Sequence, residues 1–236
     1  MNFRTTFFPP IVLACLALAS GCQTTEAPKA SDSSSSSKWT TLFDGKPTDK
    51  LRGYKMTGFP SDNWVIDGDA LKTVPGKAVD LITVEKYKDF ELEVEWKVKP
   101  VGNSGIIYRV AETDGPTYTT GPEMQVLDDQ RHPDGKNPKT TAGALYALIA
   151  PSANKKVNPA GEWNKAKLII KNNHVEHWLN GIKIVEYEWA SPEVKALIKV
   201  SKFKDMPLFM TQPEGYVALQ HHGEEAWFRN VRIRRL

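Results

Sequence analysis

Between residues 90 and 99 the chain reads Phe-Glu-Leu-Glu-Val-Glu-Trp-Lys-Val-Lys, five apolar residues alternating with five charged ones. That period predicts a strand with one face in a core and one in water, since a helix would scatter the apolar residues around its surface. Trp64-Val65-Ile66, Asp67-Gly68 and Ala70-Leu71-Lys72 predict a hairpin, because Asp-Gly supplies the positive φ angles of a two-residue turn. Asn180-Gly181 predicts another, with arms reaching Val175 and Tyr187. Lys167 to Lys171 predicts a strand before it, turning at Asn172-Asn173, so three consecutive antiparallel strands are expected between Trp163 and Tyr187. One short helix is expected to about Val200: Ser191 can cap it, Pro192 suits the first helical position, and Glu193 favours the positive end. Strand returns at Tyr216 to His222 and Trp227 to Ile233. Many strands, frequent Gly and Pro turns and little helix predict an all-β antiparallel sandwich or jelly roll.

Two of the strand-like runs carry polar residues where a buried strand would be apolar. They are Gly102-Asn103-Ser104-Gly105-Ile106-Ile107-Tyr108-Arg109 and Gly121-Pro122-Glu123-Met124-Gln125-Val126-Leu127-Asp128-Asp129. Glu123 and Gln125 share a face, and a local bulge would bring Asp128 round to it. A row of such groups on a sheet is what a sugar-binding cleft needs.

The ends divide the chain into three parts. Residues 1–22 have a basic Arg4, an apolar run too short to span a membrane, and Leu18-Ala19-Ser20-Gly21-Cys22, which resembles a bacterial lipobox. Cys22 is the expected lipidated first residue. Residues 23–37 are rich in Ser, Thr, Ala and Pro, the composition of a flexible tether. Gln23 rather than Asp implies, by the bacterial sorting rule and for a Gram-negative source, an outer-membrane lipoprotein with its domain in the periplasm or at the cell surface. Lipid is then the only expected membrane attachment. Residues 38–236 suffice for one domain.

The second cysteine, Cys15, lies in the leader, so a mature chain from Cys22 has no disulfide and no thiolate ligand or nucleophile in its domain. Without the leader, 30 cations face 28 carboxylates, a balance that gives no argument for nucleic acid. A neutral ligand such as a sugar fits.

Further motifs join these two runs in order along the chain. Leu42-Phe43-Asp44-Gly45-Lys46 precedes them; Gly143-Ala144-Leu145-Tyr146, Gly161-Glu162-Trp163-Asn164 and His177-Trp178-Leu179-Asn180-Gly181 come after. The last are Val217-Ala218-Leu219-Gln220-His221-His222-Gly223 and Phe228-Arg229-Asn230-Val231-Arg232-Ile233. Together they resemble the bacterial 3-keto-disaccharide hydrolase family, long classed as a domain of unknown function. The resemblance implies a concanavalin-like jelly-roll sandwich of two curved antiparallel sheets with a cleft on the concave one. It implies cleavage of 3-keto-glucosides or 3-keto-disaccharides after a separate sugar 3-dehydrogenase has oxidised C3. It also implies a divalent metal in some members and no organic cofactor. Where the family usually shows Gln-Asp-His-Gly, this chain has Gln220-His221-His222-Gly223, which changes the charge there if that Asp serves a metal or a base.

Such a reaction needs a base for the C2 proton, donors or a cation for the enediolate oxygen, and an acid for the leaving oxygen. Glu123, Asp128, His132 and His222 are the candidate catalytic groups, with Glu123, His132 and His222 the candidate metal ligands. Arg109, Gln125, Tyr146, His177 and Gln220 are the candidate substrate contacts. Seven of these have a structural alternative: a strand salt bridge for Glu123 and Arg109, a turn cap for Asp128, a solvated loop for His132, a strand end for His222, a sheet hydrogen bond for His177, and an ordinary core or surface tyrosine for Tyr146. Two other functions stay open. A conventional endo-glucanase commonly shows Glu-x-Asp-x-x-Glu, against Glu123-x-Gln125-x-x-Asp128 here, and needs two carboxylates. A non-catalytic carbohydrate-binding lipoprotein would bind sugars and turn none over.

Overall fold

The computed structural model describes residues 1–3, 7 and 38–236. The chain divides into two compact units, Met1–Ser35 and Ser36–Leu236. Among the described residues, every strand and helix belongs to the second unit. Cys22 and the 23–37 tether lie outside the described residues. Among the described residues no helix is long and apolar enough to cross a membrane.

In chain order the strands are β1 (Thr40–Phe43), β2 (Leu51–Gly53), β3 (Trp64–Asp67), β4 (Ala70–Thr73), β5 (Leu81–Thr83), β6 (Phe90–Val98), β7 (Asn103–Val110), β8 (Glu123–Leu127), β9 (Asn164–Lys171), β10 (His174–Leu179), β11 (Ile182–Glu188), β12 (Tyr216–Leu219) and β13 (Ala226–Arg235). One α-helix, α1 (Pro192–Lys199), lies between β11 and β12. An eight-stranded antiparallel sheet runs β11-β10-β9-β6-β13-β4-β3, with β1 also on β13. A five-stranded antiparallel sheet runs β2-β5-β12-β7-β8. The fold is an all-β, concanavalin-like jelly roll.

Its core is made by strand alternation. Along β6, Phe90, Leu92, Val94, Trp96 and Val98 are buried. Their outward neighbours pair across to β13: Arg229 with Glu95, Arg232 with Glu93 and Arg234 with Glu91. From the smaller sheet, Ile106, Tyr108, Met124 and Val126 enter the same core. Asn180 and Gly181 take φ of +48° and +82° at the β10–β11 turn, as do Asn172 and Asn173 (+50° and +71°) at the β9–β10 turn. The Ser191 hydroxyl accepts from Val194 N at 3.2 Å, capping α1.

A buried hydrogen-bond chain ties the two sheets. His177 on β10 donates from Nδ1 to Gly143 O (3.0 Å), and its Nε2 accepts from the Tyr108 hydroxyl on β7 (2.8 Å). Tyr108 in turn accepts from Tyr187 on β11 (2.7 Å). This donor order needs a neutral imidazole, and burial drives the His177 pKa down to about 4.

Candidate active site

On the outward face of the five-stranded sheet, β7, β8 and the segment after β12 line a hollow of about 200 Å³. Gly105 makes room for its central group. A Cβ on Gly105 would lie 2.3 Å from Glu123 Oε1, so the carboxylate lies over the bare backbone of the neighbouring strand. Glu123 is 8% exposed; its main-chain oxygen accepts from Tyr146 N at 3.0 Å, and its carboxyl makes no hydrogen bond among the described residues. Desolvation raises its pKa to about 8; Lys202 opposes the shift, while the charges of Asp80 and Asp134 add to it. The carboxyl is therefore largely protonated at neutral pH.

Two more groups in the hollow lack partners. Asn103 Oδ1 and Gln220 Oε1 are buried acceptors with no hydrogen bond among the described residues. A buried, unpaired polar atom is costly unless a ligand completes it. His222 stands at the rim. Its Nδ1 meets Glu224 Oε2 at 2.9 Å, which leaves Nε2, 3.5 Å from Asn103 Nδ2, for the hollow.

Opposite them, the segment after α1 brings Lys202 and Phe203 to the hollow. Lys202 Nζ lies 4.6 Å from the centre of the Tyr146 ring and makes no salt bridge among the described residues. The Tyr146 hydroxyl donates to Asp134 at 3.2 Å, and burial raises its pKa. Gln125 lines the floor, held by its own contacts: Nε2 donates to Thr140 O and Oε1 accepts from Val126 N.

Five of the sequence-derived candidates thus meet here: Glu123, Gln125, Tyr146, Gln220 and His222. Four do not. Arg109 is fully buried at a left-handed position (φ +51°), its guanidinium 4.4 Å above Trp189 and bonded to Lys88 O, so its charge serves the interior. Asp128 is buried beyond the end of β8 and its oxygens accept from Val101 N and Gln130 N, so no bulge turns it into the hollow. His132 caps a 3-10 turn, accepting from Asp134 N through Nδ1, and does not line the hollow. His177 belongs to the inter-sheet chain. His221, in place of the usual Asp, is 3% exposed and packs edge-on against Trp64, with Nε2 donating to Val74 O. Its ring points away from Glu123, as strand alternation with His222 predicts.

A second grouping of ligand-type side chains lies on the other sheet. His174, Glu176 and Glu186 bring one donor atom each within 4.8 Å. Lys183 already bridges both carboxylates at 3.2 and 2.8 Å, and His174 meets Glu186 at 2.9 Å. An ion there would have to displace Lys183.

The family model described as the 3-keto-α-glucoside-1,2-lyase-like domain matches residues 38–234. A Bacteroides thetaiotaomicron protein named 3-keto-disaccharide hydrolase is 36% identical over 225 residues, covering 82% of this chain and 77% of its own. A solved protein of Parabacteroides distasonis, assigned to the glycosyl hydrolases, is 31% identical with a TM-score of 0.77, covering 84% of this chain and 94% of its own. A non-specific endo-β-1,3(4)-glucanase has a TM-score of 0.50 at 10% identity, covering 84% of this chain and 95% of its own, a likeness of fold alone.

Proposed function

The chain belongs to the 3-keto-α-glucoside-1,2-lyase-like family, and on that footing we propose that this glycoside hydrolase acts on glucosides already oxidised at C3. It removes the C2 proton, expels the aglycone and adds water. One observation carries the reading: a desolvated, largely protonated Glu123 faces Lys202 in a hollow shared with His222 and two unpaired amide oxygens. Sugar hydroxyls are the donors that Asn103 Oδ1 and Gln220 Oε1 lack.

A ketone at C3 acidifies the C2–H bond. His222 Nε2 takes that proton, with Nδ1 held by Glu224, and the electron pair moves into C2=C3 with negative charge on O3. Lys202 is the cation placed to bind that oxygen. The enediolate then collapses: C3=O re-forms, C1=C2 forms, the C1–O bond breaks, and the leaving oxygen takes the proton from Glu123. Hydration reverses the roles. The Glu123 carboxylate takes a proton from water as its oxygen bonds to C1, and His222 returns its proton to C2. No electrons are gained or lost overall. The ketone itself must come from an earlier dehydrogenation, which makes a sugar 3-dehydrogenase the functional partner.

The donor set also fits a hard divalent cation, the metal that the sequence resemblance implies for some members. Glu123, once deprotonated, with Asn103 Oδ1 and Gln220 Oε1 would hold it, which leaves His222 Nε2 for the C2 proton, and His132 does not line the hollow. When bound, such an ion supplies Lewis-acid polarisation of the C3 carbonyl. Ion and proton compete for Glu123.

A conventional retaining mechanism is less well served. It needs a second carboxylate roughly 5 Å from the first, and Asp128, at the corresponding spacing, is spent on backbone amides.

The test is incubation with 3-keto-trehalose or 3-keto-sucrose beside the unoxidised sugars in deuterated water, with and without chelator. Cleavage of the ketone alone, with deuterium appearing at C2, is expected; equal cleavage of both sugars, or no deuterium, defeats the mechanism. Turnover that survives the chelator leaves the proton on Glu123, and turnover that the chelator abolishes makes Glu123 a ligand. We also propose attachment through Cys22 to the cell envelope, the outer membrane in a Gram-negative cell. Cys22→Ser then moves the protein from the membrane to the soluble fraction, and an unchanged membrane fraction rejects the anchor.

A further inference from the structure

His221 does not face Glu123, yet both of its ring nitrogens are occupied. Nε2 donates to Val74 O at 2.9 Å, just beyond β4, and Nδ1 accepts from Gly223 N at 3.1 Å. A carbonyl can only accept and an amide N–H can only donate, so the ring is neutral and held in one tautomer. Buried and edge-on to Trp64 of β3, it joins the segment after β12 to the larger sheet.

The same ring closes a turn. Gly223, two residues on, takes a φ of +111°, where a side chain would be strained. The main chain before it is pinned as well. Gln220 N donates to Gly105 O (2.9 Å), Gln220 O accepts from the Ser104 hydroxyl (2.7 Å), and His221 N donates to Asp80 Oδ1 (2.8 Å). His222 sits between these fixed points, and its Nδ1 reaches across the turn to Glu224 at 2.9 Å. The path of the chain at Gly223 therefore decides whether His222 and Glu224 meet, and His221 Nδ1 is the acceptor that holds Gly223 N.

We propose that His221 is a positioning residue for the reaction: by holding Gly223 N through Nδ1 it sets the turn that pairs His222 with Glu224 and aims His222 Nε2 into the hollow. This rests on the role proposed for His222 as the base for the C2 proton. A misplacement of about 1 Å in a reacting group costs about a hundredfold in rate, so a residue that never touches substrate can govern turnover. The contact from Nε2 to Val74 packs the ring and is not the one that places His222.

The two nitrogens can be separated, because an Asn side-chain oxygen takes the place of Nδ1 and a Gln side-chain nitrogen the place of Nε2. In His221→Asn the Oδ1 atom accepts from Gly223 N as in an Asx turn, and the Val74 contact is lost. In His221→Gln the Val74 contact is kept and Gly223 N is released. Each variant is checked by thermal melting and assayed on 3-keto-trehalose. His221→Asn should keep kcat within about threefold of the parent, and His221→Gln should lose about tenfold or more with KM little changed. Equal losses, no loss in either, or the reverse order overturns the positioning role. Nitrogen-15 NMR of the His222 ring, at alkaline pH and without substrate, gives an arm independent of turnover. The parent and His221→Asn should show the proton on Nδ1, held by Glu224, while His221→Gln should move it towards Nε2, the form that a free neutral imidazole favours. If no 3-keto substrate turns over in the parent, the reading of His222 as base fails and the NMR arm decides alone: one tautomer in all three proteins overturns the positioning role. If His221→Gln does not fold, a folded His221→Asn that loses the Nδ1 proton overturns it, and if neither folds the ring is a core requirement and the role is rejected.

Discussion

Gly105 has no side chain, and the Glu123 carboxyl occupies the place where one would begin. The conflict in Gly105→Ala is with the far end of a flexible side chain, so the strand survives and the carboxyl has to move. Gly105→Ala should melt within a few degrees of the parent and lose turnover by about a hundredfold, the low end of what a positioned proton donor contributes. Thermal melting beside steady-state kinetics checks it; a fully active Gly105→Ala would mean that the Glu123 position is immaterial. At this scale the sequence was informative about face and poor on contacts. Alternation put Glu123 with Gln125 and His222 with Gln220, and the structure agrees. Arg109, offered as a cation at a strand end, is buried at a φ of +51°, a backbone twist that the sequence pattern does not anticipate. Asp128 and His132 failed because short polar side chains beside turns bond their own backbone, which competes with any role in a cleft.

The hairpins were legible because their turns are local. Asp-Gly and Asn-Gly name their own backbone angles, and β3–β4 and β10–β11 obey them. The helix was legible from its cap, and it ends at Lys199, one residue short of the expected limit. The three short strands β1, β2 and β5 carried too few residues for a period to show. Nor did any period announce that the stretch after α1 forms a wall of the site, because its position is set by contacts distant in sequence. Phe203 stacks on Phe209 at 4.0 Å, closing that stretch into a compact turn that presents the exposed Lys202 to the hollow. Lys202→Met should leave folding unchanged and reduce kcat by at least tenfold, more than it alters KM, because the enediolate charge exists only after binding. It should also move the Glu123-dependent limb of the pH–rate profile upward, since Lys202 is the cation opposing the raised pKa. Asp80, Asp134, Tyr146, His222 and Glu224 are the other ionisable groups around it, and all remain in the variant. An unshifted profile with a normal kcat would reduce Lys202 to a surface residue.

Across the whole molecule, two buried ionisable groups pull stability in opposite directions with pH. His177, neutral between the sheets with a pKa near 4, binds its proton more readily in the unfolded chain. From pH 4 to about 6.5 the unfolded state holds the extra proton, so this group makes stability rise with pH, by about 3 kcal/mol over the window. Glu123, raised to about 8, does the reverse. From about pH 4.5 to 8 the folded state holds the extra proton, and stability falls as pH rises, by roughly 3–5 kcal/mol in all. The two slopes cancel between 4.5 and 6.5 and leave a net fall above it. Every other titrating group contributes equally to the parent and to single variants, so the differences isolate the pair. With chelator present, urea unfolding of Glu123→Gln should show stability that gains on the parent's continuously from pH 4.5 to 8, the removed Glu123 slope, while turnover is lost. His177→Gln should be less stable at neutral pH, having broken the Gly143–His177–Tyr108–Tyr187 chain, and relative to the parent it should lose stability from pH 4 to about 6.5 and run parallel to it from 6.5 to 8. If Glu123→Gln tracks the parent between pH 6.5 and 8, its carboxyl is ionised in the folded protein and cannot be the proton donor.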